Sequence, residues 1–273
     1  MNQPGNALLD AIAAEVADAL THTRQIAPFA GRPDGLTIDS AYGVTPRIRK
    51  TYEARGLKVV GRKIGFTNRT IWEQYGVYQP IWGYVFDATA QYLADSETLA
   101  LRSLSEPRIE PEIIFGLGAA PSADMDDVAL VSCIEWVALG FEIVQSIFPG
   151  WKFAAADTIA ANGLHGALLI GPRQPFASRT SEWLRTLSGF EIELHCDGQL
   201  IDRGRAGNVL DGPLSALRHL VGLLAADPVN PPLAAGEIIS TGTLTKAMPV
   251  ASGKTWTAIP AGIGLDPVRV RFS

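Results

Sequence analysis

The chain has 273 residues, 47% of them hydrophobic and 19% charged, with a formal net charge of -5. That is enough apolar material for a sizeable core, and because the densest basic cluster is only Arg47-Ile-Arg-Lys50, nucleic acid is excluded as an expected partner. No run of about eighteen apolar residues occurs, and Asp10, Glu15 and Asp18 interrupt the first turns. Neither a membrane partner nor a signal peptide is therefore expected, and a cytoplasmic location is.

Leu8, Leu9, Ile12, Val16 and Leu20 recur at helical spacing, which predicts an amphipathic helix over 6–23. A Pro/Gly-rich break covers 27–35. The stretch 38–55 is helix-like but holds Gly43 and Pro46, so two short pieces or a kink are expected. From Leu57 onward short apolar runs broken by Gly and Pro predict strands, at LKVVGRKIGF, YVFDATAQYL, RIEPEIIFGLG, GFEIVQSIF and GALLIGP. FEIELHCDGQLIDRG reads as a hairpin turning at Asp197-Gly198. Pro213 followed by Leu214, Leu217, Leu220, Val221 and Leu224 predicts a helix, and EIISTGTLT and VRVRF return to strands. The expected architecture is α+β, with a helical N-terminal part over 1–80 and a β-rich part over 81–273. Cys133 and Cys196 lack a CxxC spacing and are expected as buried thiols, with neither a disulfide nor a zinc site.

Glu110 and Glu112 are two apart in RIEPEIIFGLG, so a strand would point both carboxylates to one face and Ile109, Ile113 and Phe115 to the other. A solvated polar strand face has the same pattern. Glu142 adds a third carboxylate between Phe141 and Ile143, where an unpaired buried charge would be costly. Three oxygen donors with no Cys or His adjoining suit a hard ion, Mg²⁺ or Mn²⁺, which keeps positions open for a chelating 2-oxo acid.

The motifs GRKIGFT, GYVFDA, RIEPEIIFGLG, FEIVQS with the following Trp151, ADTIAAN and IISTGTLT resemble, in order, those of the fumarylacetoacetate hydrolase superfamily. They look most like its branch of 2-oxopent-4-enoate hydratases and 2-oxo-3-hexenedioate (4-oxalocrotonate) decarboxylases. The resemblance implies a mixed β-sandwich roll with Glu110, Glu112 and Glu142 as metal ligands. It makes Lys63, read otherwise as a snorkelling strand lysine, a partly desolvated proton shuttle of lowered pKa or an anchor for an anionic substrate. It pairs Lys63 with Asp87, which alone reads as a turn aspartate. Thr241, Gly242 and Thr243 match the small-residue segment lining the family's pocket, and Phe86, Asn162 and Leu164 are expected on the substrate side. A homodimer or larger assembly is also implied.

Two segments depart from the family's pattern. EIVDSR is replaced by Glu142-Ile-Val-Gln145-Ser146-Ile147, and DTIADNAS by a segment carrying Ala161 and Leu164, so the pocket is expected to be more apolar there. The resemblance implies hydration of a 2-hydroxydienoate or 2-oxo-enoate, or decarboxylation of a 2-oxo-enedioate on the same site. Hydrolysis of a carbon–carbon bond is disfavoured, because no histidine lies between His22 and His165. A non-catalytic acid-binding homologue is the remaining reading. His195 and His219 read as ordinary, whereas His165 lies within reach of the pocket.

Overall fold

A computed structural model of the chain describes residues 5–33, 35–94 and 96–273. Helix α1 (Asn6–Thr21) buries Leu9, Ile12 and Val16 as one stripe. The helix-like stretch beyond it breaks into α2 (Ile38–Ala41) and α3 (Thr45–Ala54), with Pro46 in the first turn of α3, where its missing N–H costs nothing. Gly43 sits at the break, and a Cβ there would lie 2.9 Å from Leu9 Cδ1, so α1 packs closely against the α2–α3 junction at this glycine.

Strand β1 (Val59–Gly65) follows, then α4 (Trp72–Tyr75) and β2 (Ile81–Phe86). The expected single strand YVFDATAQYL is divided: β2 ends at Phe86, a 3-10 turn covers 87–89, and β3 (Ala90–Tyr92) begins beyond it. Next come β4 (Thr98–Leu99), β5 (Arg108–Leu117), α5 (Asp127–Ser132), β6 (Ile134–Val144), α6 (Ala155–Ala160), β7 (His165–Ile170) and β8 (Gln174–Pro175). The remainder is α7 (Thr180–Thr186), β9 (Glu191–Cys196), β10 (Gln199–Arg205), α8 (Pro213–Ala226), β11 (Ile238–Ser240), β12 (Met248–Pro249), β13 (Thr255–Ala261) and β14 (Val268–Phe272).

A nine-stranded sheet runs β2-β1-β11-β5-β6-β7-β3, with β12 on β5 and β8 on β6, and a five-stranded sheet runs β10-β9-β13-β14-β4. One face of the large sheet presents Ile109, Ile113, Phe115, Leu139 and Phe141 to Leu194, Trp256 and Val270 of the small sheet and to Leu217, Leu220 and Leu224 of α8. The run Ala206–Ala226 is apolar and long enough to cross a membrane by composition, but half of it is buried in this core, as α8's packing requires. This is the expected α+β sandwich roll. On the other side, α1 and α6 pack with Val144, Ile147, Phe148 and Leu164 in a second cluster. Strand β1 falls inside the 1–80 segment read as helical, yet it is hydrogen-bonded to β2 and β11, so the helical layer ends in sequence at α3. Both cysteines are free; Cys133 is buried, but Cys196, on β9, is only half-buried.

Pro111 stands inside β5, a position a proline normally avoids in a paired strand. It is tolerated because β12 pairs with 108–109 and β11 with 114–116, leaving a gap between them that the loop after β11 fills. Leu244 N donates to the Pro111 carbonyl on that side, so the ladder needs no N–H from residue 111. The same loop carries residues 241–247 across the glutamate-bearing face of β5.

Candidate functional site

Adjacent antiparallel strands bring the acidic side chains together. Glu110 of β5 faces Glu142 of β6 directly, Glu112 lies one pleat further along, and one oxygen of each falls within 4.8 Å of the others. Glu112 and Glu142 are fully buried, while Glu110 is half-buried and opens onto a cavity of about 560 Å³.

Each buried carboxylate has one oxygen fixed. Glu112 Oε2 accepts from Ser240 Oγ at 2.5 Å and from Gly242 N at 2.8 Å. Gly242 has φ 109°, and a Cβ there would stand 2.2 Å from Thr67 Oγ1, so the close approach of this amide requires glycine. Glu142 Oε1 accepts from His165 Nδ1 at 2.8 Å, and its Oε2 lies 2.9 Å from Lys63 Nζ. Lys63 also donates to the Gly163 carbonyl at 2.9 Å. Among the described residues Glu142 Oε2 has only the Lys63 ammonium as a partner, and Glu112 Oε1 has none. Three buried or half-buried carboxylates share one ammonium, an excess of negative charge that is costly in a dry interior unless a further cation joins them, and an all-oxygen set suits Mg²⁺ or Mn²⁺. The residues present fit such an ion.

Electrostatics point the same way. Burial, reinforced by Glu142, lifts Glu110 to about 7 against the pull of Lys63. Burial and its two acidic neighbours hold Glu112 well above the ordinary carboxylate range. Burial opposes ionisation of Glu142 too, but Lys63 and His165 overcome it and hold this carboxyl below its usual value. Burial alone would depress Lys63, as the sequence led us to expect. The surrounding glutamates outweigh it and keep the ammonium above the ordinary lysine value, so the lowered pKa is corrected to a raised one.

Lys63, Glu110, Leu164 and Thr243 line the cavity, joined by Phe66, Tyr75, Trp151 and Phe153 as an aromatic wall and by Arg108 and Lys246 as cations. Phe66, Trp151 and Leu164 have φ of 53°, 60° and 62°, sparsely populated values for residues bearing a Cβ. Asn162, Gly163 and Leu164 form an unbroken left-handed run that turns the Gly163 carbonyl toward Lys63.

Other expected site residues lie elsewhere. Asp87 is exposed and opens the 3-10 turn, accepting from Lys58 N at 3.0 Å and Ala88 N at 2.9 Å. Lys63 pairs with Gly83, four residues before Asp87, or about 13 Å along the strand. The turn aspartate is the reading the geometry favours. Asn162 is buried and brackets Tyr84 through both backbone groups, and Phe86 packs in the core; both face a second cavity of about 420 Å³ behind His165. Thr241 donates to the Ile113 carbonyl and ties the loop to β5. Ser240 and Arg108 were not singled out from sequence. Arg108 shares the strand face of Glu110, a spacing that could have flagged it.

No protein-family profile matches the chain. It is 30% identical over 250 residues to 2-hydroxyhexa-2,4-dienoate hydratase of Comamonas testosteroni, covering 90% of this chain and 91% of the relative. It is also 30% identical to 2-keto-4-pentenoate hydratase of Burkholderia vietnamiensis, over 96% of each. Among solved structures, 4-oxalocrotonate decarboxylase from Pseudomonas putida G7, complexed with magnesium and adipate, superposes over 100% of both chains with a TM-score of 0.90 and 27% identity. Fumarylpyruvate hydrolase from Pseudomonas aeruginosa shares the fold at a TM-score of 0.55 and 15% identity, covering 77% of this chain and 88% of that one.

Proposed function

The chain belongs to the 2-keto-4-pentenoate hydratase and 4-oxalocrotonate decarboxylase branch of the fumarylacetoacetate hydrolase superfamily, and from that membership we propose that it is a divalent-metal-dependent lyase hydrating a small 2-hydroxydienoate or its 2-oxo-enoate tautomer. The observation that carries this reading is the convergence of Glu110, Glu112 and Glu142 within 4.8 Å of one another, three carboxylates with a single ammonium, Lys63, between them and with Glu112 Oε1 buried and unpartnered. Glu110, Glu112 and Glu142 would hold Mg²⁺ or Mn²⁺. When bound, the ion supplies Lewis-acid polarisation of the 2-oxo group.

The chain's own groups do the rest. Three carboxylates against one ammonium and one divalent ion leave no net charge, so an anionic substrate meets no repulsion. Lys63 Nζ, charged and held by Gly163 O, stands on the cavity wall as the group that gives and takes a proton on the substrate. Ile81, Val144 and Leu164 present apolar surface beside it and exclude bulk water from that end. Thr243, on the same loop as Gly242, lines the cavity with its hydroxyl donated to the Thr245 carbonyl at 2.9 Å.

A second reading, decarboxylation of a 2-oxo-enedioate, is favoured by Arg108. Its guanidinium stacks 4.0 Å from the Trp151 ring centre and makes no hydrogen bond among the described residues, so its donors are free for a second carboxylate. Incubation with 2-hydroxypenta-2,4-dienoate and with 2-oxo-3-hexenedioate, following hydrated product and CO₂, decides between the two. Hydrated product from the first is expected, and release of neither product would overturn both readings. A cytoplasmic location and a homodimeric or larger assembly belong to the same proposal, the latter tested by light scattering.

A further inference from the structure

Strand β7 does not alternate regularly against β6. Ala167 pairs with Ile143 and His165 with Val144, so Gly166 is an extra, bulged residue. Regular alternation would put His165 on the same face as Ala167, toward the sandwich core. The bulge turns it to the face of Val144 and Glu142 instead. Only glycine fits at the bulge, because a Cβ at 166 would stand 2.6 Å from the Ile143 carbonyl oxygen.

The ring so delivered is held at both nitrogens. Nδ1 lies 2.8 Å from Glu142 Oε1 and Nε2 lies 2.9 Å from Thr89 Oγ1. A carboxylate only accepts, so Nδ1 carries the hydrogen. Both side chains are nearly or fully buried, at 2% and 0% exposure, which leaves water little access to compete for the bond. Thr89 Oγ1 lies equally 2.9 Å from the Phe86 carbonyl oxygen, so its one hydrogen is shared between that oxygen and Nε2. A rigid chain of contacts thus runs from the turn after β2 to a single oxygen of Glu142.

We propose that His165 is a positioning residue for the metal site, whose Nδ1–H occupies Glu142 Oε1 and so presents Oε2 alone as the ligand atom. The inference rests on the metal-site reading above. It follows from the division of labour at Glu112, where Ser240 and Gly242 occupy Oε2 and leave Oε1 free. Both buried glutamates are held as one-oxygen ligands, which leaves room around a small ion for a chelating substrate.

The test is titration of the metal-free protein with Mn²⁺ alone, reading free Mn²⁺ by electron paramagnetic resonance, in wild type, His165→Asn, His165→Gln and Thr89→Val. An asparagine amide nitrogen can replace Nδ1, whereas a glutamine amide nitrogen falls nearer Nε2. His165→Asn is expected within about 3-fold of wild-type affinity, His165→Gln weaker by roughly 10-fold or more, and Thr89→Val between them. Equal loss in Asn and Gln, or wild-type affinity in Gln, overturns the proposal. Absence of Mn²⁺ binding by wild type would instead overturn the metal-site reading itself. Thermal melting of the metal-free variants, expected to be cooperative for Asn and Gln alike, separates positioning from loss of fold.

Discussion

Gly242 shows how narrowly single residues hold this site. Its amide is one of the two donors on Glu112 Oε2, its φ is 109°, and Thr67 leaves no room for a methyl group. Gly242→Ala is therefore expected to cost about 2–4 kcal/mol, combining backbone strain with overpacking, and to weaken Mn²⁺ binding as Glu112 loses its anchor. Urea unfolding checks the first part, and a change below about 0.5 kcal/mol would show that the loop relaxes freely. Lys63 offers a second prediction: Lys63→Met should lower turnover by roughly 10²–10⁴-fold while leaving Mn²⁺ bound, which separates proton handling from metal holding. At this scale the three glutamates were legible, because a period of two fixes which side chains share a strand face. The sign of the Lys63 shift was not, since it depends on three carboxylates converging from two strands. Asp87 was misassigned because its neighbours in sequence said nothing of the 3-10 turn it opens, where its carboxylate accepts from Ala88 N and from Lys58 N ahead of β1.

Secondary-structure elements place these residues by their irregularities as much as by their regular parts. The hairpin at Asp197-Gly198 was readable since both residues take positive φ, 49° and 80°, a geometry that this dipeptide favours. The break at Gly43 was readable for a similar local reason. The bulge at Gly166 and the ladder gap at Pro111 were not, because each depends on a partner strand far away in sequence. The division expected near residue 80 missed that β1 completes the large sheet, since pairing with β11 spans most of the chain. Gly166→Ala tests what the bulge does: it should destabilise by about 1–3 kcal/mol, because Ile143's carbonyl cannot move without disturbing β6. It should also weaken Mn²⁺ binding, as His165 is tilted away from Glu142. Calorimetric melting alongside Mn²⁺ titration reads both effects, and a folded Gly166→Ala protein with unchanged Mn²⁺ affinity would show that the ring's orientation does not depend on the bulge.

Across the whole molecule, the acidic cluster links stability to pH and metal. In the metal-free protein Glu110 and Glu112 have raised values, so above the unfolded value near 4.5 the unfolded chain has released protons that the folded chain still holds. Stability must then fall as pH rises from about 4.5 to 7, by up to about 3 kcal/mol for Glu110. Glu142, shifted downward, acts in a separate window: its contribution is present above 4.5 and is lost only as pH falls below that. A divalent ion binds the ionised cluster, so its stabilisation grows with pH over the range in which the metal-free protein weakens, reaching about 2.7 kcal/mol at a hundredfold excess over Kd. Melting with chelator should show a Tm decline from pH 5 to pH 8, and saturating Mg²⁺ should raise Tm more at pH 8 than at pH 5. An equal Mg²⁺ shift at both pH values would mean that the ion is bound by groups already ionised at pH 5, and not by the buried glutamates of β5.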